Sequence, residues 1–151
     1  MKKTLLLLIV STLLSYQSKE QRQKSPIPII GTWQLITGTI IEKGDTTVTD
    51  YTKNLSFIKI INETHFAFLK HDLNKGKDES KAFDAGGGTY TLKDSLYTER
   101  LEYYKQKEWE GSKFAFVITL KNDTLTQTGI EKVEGTDINR VNTEIYVRLK
   151  K

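Results

Sequence analysis

Apolar and polar residues alternate in short runs along most of the chain, and this two-residue repeat is typical of β-strands with one buried face. Turn-forming residues separate the runs, among them Asn62-Glu63-Thr64 and the two-residue hairpin Asn122-Asp123. After the first 18 residues, no stretch keeps the 3.6-residue apolar repeat of an amphipathic helix. The pattern predicts strands at 33–41, 55–61, 65–71, 81–92, 95–104, 114–121, 124–131 and 141–150, with 46–54 as a loop or a weak strand. Within the first strand it places Trp33, Leu35, Thr37, Thr39 and Ile41 on one face.

About eight strands joined mostly by short hairpins favour an all-β fold, an eight-stranded antiparallel up-and-down barrel. A β-sandwich is the alternative architecture. The first strand begins at Gly31-Thr32-Trp33, and the last strand carries Arg148. A guanidinium on the face of an indole contributes about 0.5–2 kcal/mol, and this pair would join the first strand to the last. We therefore expect Gly31, Trp33 and Arg148 to close the barrel, which removes both exposed edges of the sheet.

The first 18 residues have the composition of a signal peptide. Lys2 and Lys3 give a positive start, and the apolar run that follows is too short to span a bilayer. The residues around Tyr16 match a bacterial lipoprotein box, except that Tyr16 stands where the lipidated cysteine would be. We therefore expect an exported protein, periplasmic or secreted, that is not lipid-anchored. Residues 19–28 are predicted to form a flexible tether, and residues 29–151 to form the barrel domain.

Composition supports a single domain and excludes some kinds of chemistry. The length of 151 residues, with 37% of them hydrophobic, suits one domain with its own core. The net charge is +4, and the charged residues are interspersed, which gives little support for nucleic-acid binding. The chain contains no cysteine, so disulfides, thiol catalysis and thiolate metal sites are excluded. We expect a monomer that is not embedded in a membrane.

Two pairs of ionisable residues are candidates for catalysis or metal binding. Glu99 and Glu102 resemble a glycosidase carboxylate pair, but a spacing of three places them on opposite faces of a strand. His65 and His71 share a face, yet six residues of strand separate them by about 20 Å. They cannot share a metal ion, and a structural or surface role is favoured over haem ligation by one of them. No metal site and no cofactor are predicted.

The triplet Gly86-Gly87-Gly88 suggests a phosphate-binding loop at first sight. It lacks a following Lys-Ser/Thr and a helix whose N-terminus would bind the anion. A bulge or a sharp bend in a barrel strand explains the triplet better. No serine lies in a nucleophile elbow either, so we expect a protein that is not an enzyme.

The order of these motifs resembles lipocalins and related calycin barrels, and in particular small lipocalin-like proteins of Bacteroidetes. The resemblance rests on Gly31-Thr32-Trp33 with Arg148, and on segments 58–62, 64–66, 85–92, 97–99 and 144–148. It covers nearly the whole chain after the tether. It implies an eight-stranded barrel with a cup for a small apolar or amphipathic molecule, and it supplies no particular ligand.

Polar groups recur among aromatic residues on several strands, as in small-molecule sites. We expect a lipocalin-like protein that binds a small hydrophobic or amphipathic ligand. The alternative is a protein-interaction or inhibitor module that uses loops 72–80 and 105–111, with a packed interior. Glu99 among tyrosines would select a ligand with a donor or cationic group, whereas Arg148 would favour a carboxylate. The predicted ligand-binding residues are Phe66, Phe68, Tyr97, Glu99, Tyr103, Glu144 and Tyr146.

Overall fold

The alternating runs form nine β-strands in the part of the chain described by a computed structural model, residues 27–77 and 82–150. A short 3-10 helix, Lys107–Trp109, lies in the loop before the seventh strand. Among the described residues, no helix is long and apolar enough to cross a membrane. The predicted leader, and the predicted tether up to residue 26, lie outside the described residues. The strands are β1 (Gly31–Glu42), β2 (Asp45–Asp50), β3 (Leu55–Ile61), β4 (His65–Asp72), β5 (Phe83–Lys93), β6 (Leu96–Tyr104), β7 (Lys113–Lys121), β8 (Thr124–Lys132) and β9 (Asn139–Arg148).

All strand pairs are antiparallel, and the sheet closes on itself. From β3 to β9 each strand pairs with the next along the chain, and β9 returns to pair with β1. The two segments β2 and β3 pair with different halves of β1, so together they fill one strand position. The segment 46–54, expected as a loop or weak strand, thus contains all of β2 except its first residue, and the turn after it. The result is a closed eight-stranded barrel; the fold prediction is confirmed, and the sandwich alternative is wrong.

A β-bulge in β1 corrects the predicted face of the first strand. Leu35 pairs with Tyr146 and Thr37 pairs with Ile145, so Ile36 is the extra residue. Before the bulge, Trp33 and Leu35 are buried as expected. Beyond it the inward face passes to the even-numbered positions, and Ile41 is 44% exposed. A strict alternation cannot anticipate this, because one inserted residue inverts every later side chain.

A second bulge lies opposite the glycine triplet. Gly87 pairs with Tyr103 whereas Gly88 pairs with Leu101, which leaves Glu102 as the extra residue on β6. A side chain at Gly88 would collide with the Arg100 carbonyl oxygen, so the triplet permits a close approach of neighbouring strands. The bulge also turns Tyr103 outward, where it is 67% exposed. The expectation that Tyr103 shares a face with Tyr97 and Glu99 is therefore wrong.

One end of the barrel is covered by Trp33 and Arg148. Trp33 is fully buried, and its indole nitrogen donates to the Ile29 carbonyl oxygen over 2.7 Å. The Arg148 guanidinium carbon lies 4.0 Å from the centroid of the Trp33 ring. Arg148 also donates to the carbonyl oxygens of Ile30 at 2.8 Å and Pro28 at 2.6 Å. Arg148 thus links β9 to the segment that precedes β1.

Candidate functional site

The barrel interior contains a cavity of about 270 Å³. Its walls come from all nine strands, from the turn after β2 and from the loop that follows β6. Trp33 and Arg148 are not among its lining residues, so the cavity is separate from the covered end described above. Its lining combines aromatic rings with ionisable groups, and the ionisable groups are Lys59, Lys70, Asp84, Glu99, Glu131, Arg140 and Glu144.

Lys59 is the centre of a buried polar network that we call the floor cluster: Lys59, Glu99, Gln127, Glu144 and Tyr146. The Lys59 ammonium donates to Glu99 Oε1 over 2.8 Å and to Gln127 Oε1 over 3.1 Å. It lies 3.9 Å from Glu144 Oε2. That same Glu144 oxygen accepts hydrogen bonds from Gln127 at 2.6 Å and from the Tyr146 hydroxyl at 2.7 Å. Four strands therefore meet through one ammonium group.

Burial and charge act against each other in this cluster. Burial alone would lower the pKa of Lys59, but the carboxylates of Glu99 and Glu144 raise it above its usual value. The ammonium is therefore charged at neutral pH. Burial raises the pKa of Glu144, against the opposing effect of Lys59. Burial, followed by the charge of Glu144, raises the pKa of Tyr146, which keeps its hydroxyl protonated as a donor.

Six aromatic rings form a continuous row along the cavity wall, which we call the aromatic arc. Successive ring centroids lie 5.6 to 5.9 Å apart, in tilted or edge-to-face orientations. These separations are typical of favourable aromatic pairs. The arc supplies a broad apolar surface beside the charged floor, and its members in order are Tyr51, Phe57, Phe68, Tyr104, Trp109 and Phe114.

The remaining charges of the lining are paired. Glu131 accepts from Arg140 Nε over 2.7 Å and from Asn142 Nδ2 over 2.8 Å. Arg140 also lies over the Trp109 ring, 5.5 Å from its centroid. Asp84 accepts from the Tyr104 hydroxyl over 3.2 Å, and burial together with Asp84 raises the pKa of Tyr104 to about 12. Polar pairs thus anchor two rings of the aromatic arc.

The predicted ligand-binding residues divide into three groups. Phe68, Glu99, Glu144 and Tyr146 line the cavity. Phe66 and Tyr97 are buried outside its lining, and the Tyr97 hydroxyl has no hydrogen-bond partner among the described residues. Tyr103 lies on the outer face, where an apolar groove of Ala67, Leu69 and Ala85 borders the glycine triplet.

The other candidates for chemistry face away from the cavity. His65 and His71 are both exposed, and His65 Nδ1 lies 2.7 Å from the Thr64 hydroxyl. Glu102 accepts from Thr89 over 2.9 Å on the outer face, away from the buried Glu99. Within the ranges 27–77 and 82–150, no group of three metal-ligating side chains is present.

Sequence reasoning missed the residue at the centre of the site. Lys59 stands between Ile58 and Ile60, so alternation predicts that the two isoleucines face the core. In the barrel Lys59 is 3% exposed and Ile60 is 41% exposed, which inverts the expected faces. Gln127 was missed as well, although it shares the inward face of β8 with the buried Leu125. One sequence feature pointed to Trp109: it is the large aromatic residue of an otherwise polar loop. It packs into the aromatic arc instead of forming an exposed loop patch.

Comparison with known proteins finds a similar solved structure but no matching family model. No family model matches the sequence, and neither does any curated protein. Among solved structures, the chain is similar to a lipocalin-like protein from Bacteroides uniformis. The two are 18% identical, the match covers 80% of this chain and 97% of that chain, and the TM-score is 0.49. The pairing of the strands, closed from β1 to β9 in up-and-down order, gives this chain a lipocalin-like fold.

Proposed function

We propose that the protein binds a small amphipathic molecule in the barrel cavity and acts by binding, without catalysis. One observation carries the proposal: an internal cavity joins the aromatic arc to the charged floor cluster. Ligand pockets are concave, mostly apolar and equipped with a few convergent polar groups. The apolar body of the ligand would lie along the aromatic arc, with its polar end at the floor cluster.

The size of the cavity limits the ligand. A volume of about 270 Å³ lies just below the common range of about 300–1,000 Å³ for ligand pockets. A compound of one or two rings with a short polar arm suits this volume better than a long acyl chain. The alternative of a barrel whose interior is only a packed core receives less support, since it leaves the cavity unexplained.

Thermal stabilisation by a panel of small aromatic compounds tests the proposal. A ligand present at about 100 times its Kd adds about 2.7 kcal/mol to the free energy of unfolding. This addition raises the Tm by several degrees. Recovery of the bound compound unchanged by mass spectrometry tests the absence of catalysis. If no compound in the panel raises the Tm, the proposed function is wrong.

A filled cavity provides the matched control. Thr49 lines the cavity, so Thr49→Phe should occupy part of it and weaken binding at least about tenfold. Thr46 is exposed, three residues away on the opposite face of β2, so Thr46→Phe should leave binding unchanged. Equal binding by the two variants would place the ligand outside the cavity.

We also propose that the protein is exported without a lipid anchor. The support is the leader-like composition of residues 1–18 and the presence of Tyr16 at the position a lipidated cysteine would take. Intact-mass measurement of the protein from its native host should show a cleaved leader and no acyl group. An uncleaved leader or an added acyl mass would refute this expectation.

A further inference from the structure

We infer that the ligand is an amine, and that its cationic nitrogen binds to Glu144 on the cavity side of the floor cluster. The inference rests on the proposed function, since it names the class of molecule that the same cavity takes. It follows from the balance of charges in the lining, from the hydrogen bonds of Glu144 and from the position of the aromatic rings.

The lining contains one more carboxylate than it has cations. Four carboxylates and three basic side chains face the cavity. Arg140 pairs with Glu131 at 2.7 Å, and Lys59 pairs with Glu99 at 2.8 Å. Lys70 lies 3.8 Å from Asp84, which Lys105 also approaches to 3.4 Å. Among the described residues, the one basic side chain that pairs with Glu144 is Lys59, at 3.9 Å, and Lys59 directs its shorter bond to Glu99.

The hydrogen bonds of Glu144 leave room for a cation. Both short bonds, from Gln127 and from Tyr146, come from neutral donors and end on Oε2. The nearest cation, Lys59, directs its own hydrogen bonds to Glu99 and Gln127 and lies 3.9 Å from Glu144. Within the described ranges, Oε1 of Glu144 accepts no hydrogen bond. A buried carboxylate in this condition favours a positively charged partner.

The aromatic rings favour the same charge. Tyr146 lines the cavity beside Glu144, and Lys59 already lies 5.1 Å from its ring centroid. Arg140 lies over Trp109 in the aromatic arc. The walls of this barrel thus accept cations on ring faces at two places, as expected from the negative face of an aromatic ring. An ammonium ligand would combine this attraction with the charge of Glu144.

An anionic ligand fits the same lining poorly. A carboxylate in the cavity would be the fifth negative group, and each lining cation already lies near a carboxylate of the protein. It would compete with Glu131 for Arg140, with Glu99 for Lys59 or with Asp84 for Lys70. Displacing Glu131 or Glu99 would leave a buried charge without its partner. Arg148, a predicted source of carboxylate binding, lies on Trp33 away from the cavity.

The test compares probes that share a ring and differ in charge. Phenethylamine, 2-phenylethanol and 3-phenylpropionate are titrated into the protein by calorimetry, together with the corresponding indole series. We expect the amines to bind at least about tenfold more tightly than the alcohols, as a charged hydrogen bond to a carboxylate predicts. We expect the acids to bind most weakly.

Variants assign the effect to Glu144. Glu144→Gln keeps an acceptor for Gln127 and Tyr146 but removes the charge, and it should reduce amine binding about tenfold while leaving alcohol binding nearly unchanged. Tyr146→Phe removes a hydrogen bond without removing charge and should retain the preference for amines. Glu102→Gln, the same change on the outer face, should alter neither. Melting of each variant without probe verifies its fold.

The outcomes separate the inference from the function on which it rests. Tighter binding of the acids or alcohols than of the amines overturns the amine assignment and leaves small-molecule binding intact. An unchanged amine preference in folded Glu144→Gln also overturns it. If none of the probes binds, the inference and the proposed function both fail.

Discussion

At the scale of single residues, the protein depends on a few buried contacts that join distant parts of the chain. Trp33 is such a residue: it is fully buried, it donates to Ile29 and its ring lies under Arg148. Glu144 is another, because a buried carboxylate with two neutral donors stores an electrostatic cost in the folded state. Trp33 lies where the first and last strands meet, and Glu144 lies in the lining of the cavity.

Replacement of Trp33 should be among the most damaging single changes. Trp33→Ala removes a large buried ring and the surface on which Arg148 lies, so we expect it to lower the free energy of unfolding by about 3–5 kcal/mol. Urea denaturation measures the change. Trp109→Ala, at a partly buried ring of the aromatic arc, serves as a control with a smaller effect. A loss below about 1 kcal/mol for Trp33→Ala would be inconsistent with its place in the fold.

The raised pKa of Glu144 predicts a pH-dependent stability. Because the folded state holds the proton of Glu144 more tightly than the unfolded state does, its contribution is full below the pKa of an unfolded glutamate and is lost as pH rises through the higher folded pKa. Glu144→Gln has no such loss. We therefore expect the stability of the variant relative to the wild type to increase from pH 4 to pH 8.

The difference in stability between Glu144→Gln and the wild type separates the titration of Glu144 from that of the groups that face it. Lys59 on β3, Glu99 on β6, Gln127 on β8 and Tyr146 on β9 are present in both proteins, so their contributions largely cancel. Thermal melting of both proteins across the pH range is sufficient. A constant difference between them would show that Glu144 does not titrate in this interval.

At the scale of strands, one ammonium group links elements that do not pair directly. Lys59 on β3 reaches Glu99 on β6 and Gln127 on β8 across the barrel interior. Neighbouring strands are held by their backbone ladders, whereas these bonds cross the interior between strands that are not neighbours. The floor cluster therefore fixes the interior side chains relative to one another, in the position where an apolar barrel would have a packed core.

Removing the ammonium of Lys59 should leave the carboxylates of Glu99 and Glu144 without a compensating charge. Lys59→Met is expected to lower the free energy of unfolding by about 3–5 kcal/mol, the usual cost of removing one partner of a buried ion pair. Adding Glu99→Gln should restore part of this loss, because the second change removes the uncompensated charge. Urea denaturation of the single and double variants checks both values. A double variant no more stable than Lys59→Met would contradict this account.

The strands were predictable from sequence, and most of the candidate site was not. Alternation and turn residues are local signals, which is why Leu55–Ile61 was predicted with its observed bounds. The bulges at Ile36 and Glu102 depend on pairing with a distant strand. The glycine triplet indicated a bulge or bend in its own strand, but not the extra residue on β6 that turns Tyr103 outward. No local signal indicated the bulge at Ile36. Lys59 was not predicted to be buried, because it stands between apolar residues whose side chains face outward. Charge inside a barrel is decided by partners across the interior, which a single strand does not reveal.

At the scale of the whole molecule, the barrel combines a covered end with a cavity that is both aromatic and charged. Trp33 and Arg148 cover one end, and the cavity is lined by other residues. Several large apolar side chains lie on the outer surface, including Val117 at 57% exposure and Ile130 at 61%. Charged groups such as Lys59 and Glu99 are buried. The molecule thus places part of its polar chemistry inside the barrel.

Closure of the barrel by β1 and β9 has a consequence for the timing of folding. The hydrogen bond from Arg148 to Ile30 joins residues 118 positions apart, and such distant contacts make folding slow. During synthesis the last strand emerges after all the others, and until then β1 lacks its partner on one side. The barrel therefore cannot close until β9 has emerged.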